Sequence, residues 1–194
     1  MALLLYSFAL ALLSVQASIV KTDLPCEEIT KFLVLDGNYS SIMGKWITAE
    51  GVSEGMVGMI IQMMETHWME ILPNLKNDTV IVRQAFSIDK TCNFGYMELH
   101  LQNNTVYEPG SDRIIPFYLL PSCSNCLTGY YNHPNRDNPE RVLLLFSRER
   151  TVSESTRYLY QKQVKCLGFP GPFTVYNEGS AELCPMDTDI QMQN

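Results

Sequence analysis

The chain has 194 residues, 46% of them hydrophobic and 18% charged, with a formal net charge of −7. That length supports a single domain with a real core, and the composition excludes a disordered chain. The acidic balance argues against nucleic acid as a partner and tolerates cationic ligands.

Residues 1–17 carry no charged side chain, and Leu3, Leu4, Leu5, Phe8, Leu10, Leu12 and Leu13 form an apolar run ahead of the small residues Ala17 and Ser18. The run is too short to span a bilayer and reads as a signal peptide over 1–17, with one secreted, extracellular domain over 18–194. No later stretch is apolar enough for stable membrane insertion, so the mature chain is expected to be soluble and monomeric. Glycosylation triplets begin at Asn38, Asn77 and Asn103, and they predict N-glycans on exposed turns. The six cysteines are Cys26, Cys92, Cys123, Cys126, Cys166 and Cys184. An even count in an exported chain reads as a disulfide framework whose pairing the sequence alone leaves open.

Short strand-like runs follow at 45–49, 66–72, 78–83, 93–101, 106–107, 113–120, 127–131 and 141–146. Turn residues separate them at Asn77-Asp78, Asn103-Asn104, Pro109-Gly110 and 133–139. Many short strands at this spacing predict a sandwich or a barrel. Between the first two runs, a short helix near 55–64 would place Val57, Ile60, Ile61 and Met64 on one face. After the last strand, Ser153 can cap a helix running to Lys165, with Glu154 near its positive end and Tyr160, Val164 and Leu167 as an apolar stripe. Gly168 and Pro170 stop that helix. Strands first and one long helix last predict a β-barrel with the helix docked outside it.

Gly44-Lys45-Trp46 has a clear use in such a barrel. Glycine lets the entering chain bend, and the indole plugs one end. A late basic side chain can then lie over the ring, with Arg148 as first candidate and Arg150 second. Cys123-Ser124-Asn125-Cys126 has redox-motif spacing, but strand-like runs flank it where a redox cysteine would need a helix N-terminus. A structural hairpin disulfide is the better use. His67, His100 and His133 are scattered, so no metal and no cofactor is expected. The chain has no G-x-S-x-G elbow, no H-E-x-x-H and no phosphate-cradling glycine loop, so it is not expected to be an enzyme.

Taken together, these stretches resemble the lipocalins, and most closely the α1-acid glycoprotein branch. Ile42-Met43-Gly44-Lys45-Trp46 is similar to that branch's first-strand motif. Leu72-Pro73-Asn74 with the triplet at Asn77 resembles its B–C hairpin, and Asn103-Asn104-Thr105-Val106 its next glycosylated turn. Lys165-Cys166-Leu167, Val175-Tyr176 and Cys184-Pro185 resemble its C-terminal signature. The fish plasma lipocalins that bind saxitoxin, tetrodotoxin or tributyltin are similar too. The resemblance implies an all-β, eight-stranded antiparallel barrel with one C-terminal α-helix packed outside. It implies disulfides Cys26–Cys166 and Cys92–Cys184, leaving Cys123 and Cys126 to pair with each other or stay free. Thr128-Gly129-Tyr130 stands where the family has a Thr-Asp-Tyr-like triplet, and so lacks its Asp.

A barrel of this size holds one small ligand, entering at the end opposite Trp46. Parity along the first strand places Thr48 and Glu50 on the Trp46 side. Trp68, Tyr96, Glu98, Tyr118, Tyr131 and Phe146 complete the expected cup. The resemblance places Met56, Met59, Met63 and Met64 at its entrance, where flexible thioethers would either adapt to apolar ligands or simply pack over the rim. Glu108 falls near a pocket arginine of α1-acid glycoprotein; inside the pocket it would favour cationic ligands such as basic amines, guanidinium toxins or organotins, and the alternative is a solvated turn before Pro109-Gly110. The expected function is therefore a secreted carrier of a small lipophilic or cationic molecule. The alternatives are a lipid carrier like apolipoprotein M, and an extracellular immune-modulating glycoprotein with no obligate ligand.

Overall fold

The computed structural model describes residues 24–35, 39–74, 79–102, 105–108, 110, 114–133, 140–171, 174–176 and 181–185. The expected leader over 1–17 and the triplet asparagines Asn38, Asn77 and Asn103 lie outside the described residues.

The chain opens with a single-turn helix α1 (Cys26–Ile29) and a 3-10 turn (Ser40–Ile42). Strand β1 (Gly44–Glu54) leads through helix α2 (Met56–Met63) to β2 (Thr66–Pro73), β3 (Thr79–Ile88) and β4 (Thr91–Gln102). Strands β5 (Thr105–Tyr107), β6 (Ile114–Ile115), β7 (Phe117–Leu120), β8 (Cys126–His133) and β9 (Glu140–Ser147) follow. Helix α3 (Glu154–Cys166) and a two-residue β10 (Thr174–Val175) end the described order.

The strands pair antiparallel in the order β6-β5-β4-β3-β2-β1-β9-β8-β7, and β10 adds to β1. The two ends of that order are neighbours in sequence, separated only by Pro116. Proline has no N–H to give a ladder, so the strand expected over 113–120 breaks there. Its first half pairs with β5 and its second with β8. The Pro116 carbonyl still accepts the Asn132 N–H at 3.0 Å. Among the described residues the barrel therefore has nine strands on its circuit where eight are expected, and it is nearly closed.

Alternation along the paired strands yields two faces. Trp46, Ile71, Val80, Val82 and Phe146 pack together inside, with Met69, Leu99, Leu101, Leu119 and Leu127 around them. On the outside, Leu120, Tyr130, Leu143 and Leu145 meet Tyr160 and Val164 of α3. That helix starts where Ser153 accepts the Thr156 N–H at 3.2 Å, an N-cap of the expected kind. Leu167 falls at its C-cap and is half-buried. Gln163, fully buried, holds α3 to the rest by donating to the carbonyls of Ile29 and Pro121. A third cluster of Ile47, Trp68 and Ala85 lies under Cys184 of the tail.

Disulfides join Cys26 to Cys166, Cys92 to Cys184 and Cys123 to Cys126. The first two close loops of 140 and 92 residues. In the chain-entropy account, closing loops of this length stabilises by roughly 4–5 kcal/mol each. Among the described residues, no helix is long and apolar enough to cross a membrane.

Candidate ligand cavity

One end of the barrel is shut by a small set of residues. Gly44 has φ 88°, a left-handed conformation that suits glycine, and a Cβ there would stand 3.0 Å from the Arg148 guanidinium. The Trp46 indole donates to the Ile42 carbonyl at 2.8 Å. Arg148 lies over the Trp46 ring, 3.4 Å from its centroid, and donates to the carbonyls of Lys45 and Met43 at 2.9 and 2.5 Å. A cation over an indole contributes about 0.5–2 kcal/mol.

At the other end, a cavity of about 490 Å³ opens between β4, the β5–β6 connection and β8. Met97, Leu99, Ile115, Pro116 and Tyr131 line it, with Glu108 and His133 on its rim. Deeper in the barrel, Gly129 leaves room for two aromatic rings. A Cβ there would lie 2.8 Å from Phe117 and 3.3 Å from Phe146. The interior also holds a buried polar chain. Thr48 Oγ1 and His67 Nδ1 are 2.6 Å apart, and His67 Nε2 is 3.3 Å from Gln84 Oε1. Burial lowers the His67 pKa to about 4, with the Gln84 contact opposing, so the ring is neutral near pH 7. The arrangement can surround an apolar body, offer it a neutral imidazole at depth and present a carboxylate at the entrance.

The expected cup residues divide between the two faces. Thr48, Tyr131 and Phe146 face inward. Glu108 is exposed at the rim, just beyond β5. Glu98 borders the cavity, but its carboxylate accepts hydrogen bonds from Asn74 Nδ2 at 3.0 Å and Thr79 Oγ1 at 2.7 Å.

Glu98 lies on the outward parity of β4, and four further residues stand outside the cup. Glu50 was placed inside by parity, but β1 has a bulge between Thr48 and Glu50. One extra residue turns everything after it to the opposite face. Glu50 thus pairs with Arg157 of α3 on the outer side. Trp68 also faces out, its indole donating to the Cys184 carbonyl at 2.7 Å while Lys45 Nζ sits 4.3 Å from the ring. Tyr96 is on the outer face and 44% exposed. Tyr118 is outside too, stacked on Phe32 with centroids 4.2 Å apart.

Met97, Leu99, Ile115, Pro116, His67 and Gln84 are the interior or mouth residues that the sequence reading left out. The signal for β4 was available. Cys92 shares parity with Tyr96 and Glu98, and a disulfide to the C-terminal tail belongs on the outer face. On the helix at the entrance, Ile61 and Met64 of the expected face are half-buried, and Ile60 departs from it. Met56, Met59, Ile60 and Met63 are each more than half exposed, while Gly58 seats against Ser53.

No protein-family model matches the sequence. Alpha-1-acid glycoprotein 8 of Mus caroli is 24% identical over 137 residues, spanning 69% of this chain and 65% of that protein. The chain thus matches just under two thirds of that relative's length. Among solved structures, the siderocalin Ex-FABP aligns with a TM-score of 0.59 at 16% identity, covering 73% of this chain and 97% of its own. A second siderocalin gives 0.57 at 14% identity, covering 77% and 96%. A dog lipocalin allergen gives 0.51 at 17% identity, covering 66% and 88%. These likenesses establish a lipocalin fold, and with the sequence match they support the resemblance to the lipocalin family.

Proposed function

We propose that this chain is a secreted lipocalin-type carrier that takes one small, largely apolar molecule bearing a positive charge into the mouth of its barrel. The lipocalin fold supports small-molecule carriage in general. The observation behind the finer reading is the mouth cavity itself, apolar on its walls and acidic at Glu108. Pockets of this size, with apolar linings and a few polar groups, hold drug-sized ligands. Ex-FABP is described as working through dual ligand specificities, which favours binding over catalysis for a chain of the same fold. All six cysteines are paired, which also weighs against an enzyme with a thiol nucleophile. The disulfides and the leader-like run over 1–17 fit secretion.

A fluorescent lipophilic amine tests this reading. Glu108→Gln should weaken its binding roughly three- to fivefold, the range for one exposed charge pair. Tyr131→Ala should weaken it more, by roughly tenfold or beyond, because it removes wall area and an aromatic face. Unchanged affinity in both variants rejects the mouth as the site.

A second reading rests on the exposed methionines of α2. Met56, Met59 and Met63 give the entrance an apolar lip that would suit lipid uptake. Phospholipid or sphingolipid retained by the purified protein would select that reading over an amine carrier.

A further inference from the structure

The barrel wall has a seam. Strand β6 pairs with β5 through Val106↔Ile115 and Tyr107↔Ile114, whereas β7 pairs with β8. Past Pro116, β7 therefore parts from β5. The N-terminal segment covers the gap, with the Leu33 N–H donating to the Leu119 carbonyl at 2.8 Å. A cavity of about 230 Å³ lies behind that segment. Among the described residues its lining includes Leu33, Leu35, Ile42, Leu101, Val106 and Leu119, with the hydroxyls of Tyr39 and Thr105 as polar members and no charged side chain. It shares no lining residue with the mouth cavity.

The covering segment is thin. Phe32 and Val34 both line the cavity and are 46% and 71% exposed. The segment is anchored behind by Cys26, crosslinked to α3, and ahead by the 3-10 turn at Ser40–Ile42. Between those anchors, Phe32 is stacked on Tyr118 with an interplanar angle of 7°. Aromatic stacking of this kind contributes about 0.5–1.5 kcal/mol, a latch that thermal motion can open.

We propose that this seam cavity is a second, lateral binding site for a compact, uncharged apolar molecule, filled from the side of the barrel. An apolar cavity of about 150 Å³ stays dry and takes up benzene, so the seam cavity suits an apolar molecule of about nine carbon atoms. Ions are disfavoured, because among the described residues no charged lining group would offset their desolvation. The two cavities thus differ in chemistry. The mouth offers a carboxylate, and among the described residues the seam offers none. The proposal goes beyond the mouth reading and stands whether or not the mouth is occupied.

Propylbenzene is the probe, added to the full mature protein with its disulfides intact. One equivalent should bind, with nuclear Overhauser contacts to the methyl groups of Leu33, Val106 and Leu119. Val106→Phe, which fills the cavity, should lower propylbenzene affinity at least tenfold and leave lipophilic-amine affinity within twofold. Should Val106→Phe fail to fold, the contacts in the unaltered protein decide alone. No binding, contacts confined to Met97 and Ile115 at the mouth, or a folded Val106→Phe protein with unchanged affinity would each overturn the proposal.

Discussion

Burial sets the chemistry of His67. Its ring lies inside the barrel between Thr48 and Gln84, with Phe86 and Phe146 near, and its pKa falls to about 4. In the unfolded chain the same group titrates near 6.5. Between those values the unfolded state holds the extra proton, so stability falls as pH falls. The loss begins near pH 6.5 and is complete just below pH 4, and it amounts to about 3 kcal/mol. Urea midpoints measured from pH 7 to pH 4 should show this decline, and His67→Gln should flatten much of it. A parallel decline in the variant would assign the acid sensitivity to other groups. Nothing in the local sequence around His67 marks it as interior. Its position follows from register with Phe86, a long-range fact that no short window contains. Tyr131 and Phe146 face inward on strands β8 and β9, whose mutual pairing runs without a register shift.

Among the elements, β1 shows most clearly what strand patterning can and cannot reveal. Gly44-Lys45-Trp46 located its start, but the bulge after Thr48 has no residue signature. It converts Glu50 from an expected cup residue into the partner of α3. Glu50 is 2% exposed, and among the described residues nothing donates to its second carboxylate oxygen. Arg157→Ala should therefore destabilise the protein by about 2 kcal/mol, as the buried charge loses its partner. Adding Glu50→Gln to that variant should recover part of the loss, as read from denaturant midpoints. Equal destabilisation of the single and double variants would show that the arginine acts through packing instead. The β3–β4 turn was similarly hidden. Asp89 and Lys90 both adopt positive φ, at 48° and 62°, without the Asn-Gly pair that usually announces such a turn. Helix α3 was easy by comparison, because its cap and its Tyr160–Val164 stripe are both local signals.

For the whole molecule, the strand count, the helix outside and the crosslinks from head to tail produce a barrel that is shut at Trp46 and open near Tyr131. Family likeness and turn spacing made that outline legible. They could not fix the inner face, because a one-residue shift exchanges it with the outer one. This geometry also decides how binding should be observed. Trp46 lies in the closed end and Trp68 outside the wall, so intrinsic tryptophan emission reports poorly on the mouth. Methionine and isoleucine methyl groups sample the interior better. The most direct test is methyl NMR of the intact protein during titration with a lipophilic amine. Saturable shifts at Met97 and Ile115, with Met43 beside the closed end unmoved, are the predicted result. Shifts restricted to outward-facing residues, or none at ligand excess, would contradict a ligand held in the barrel's mouth.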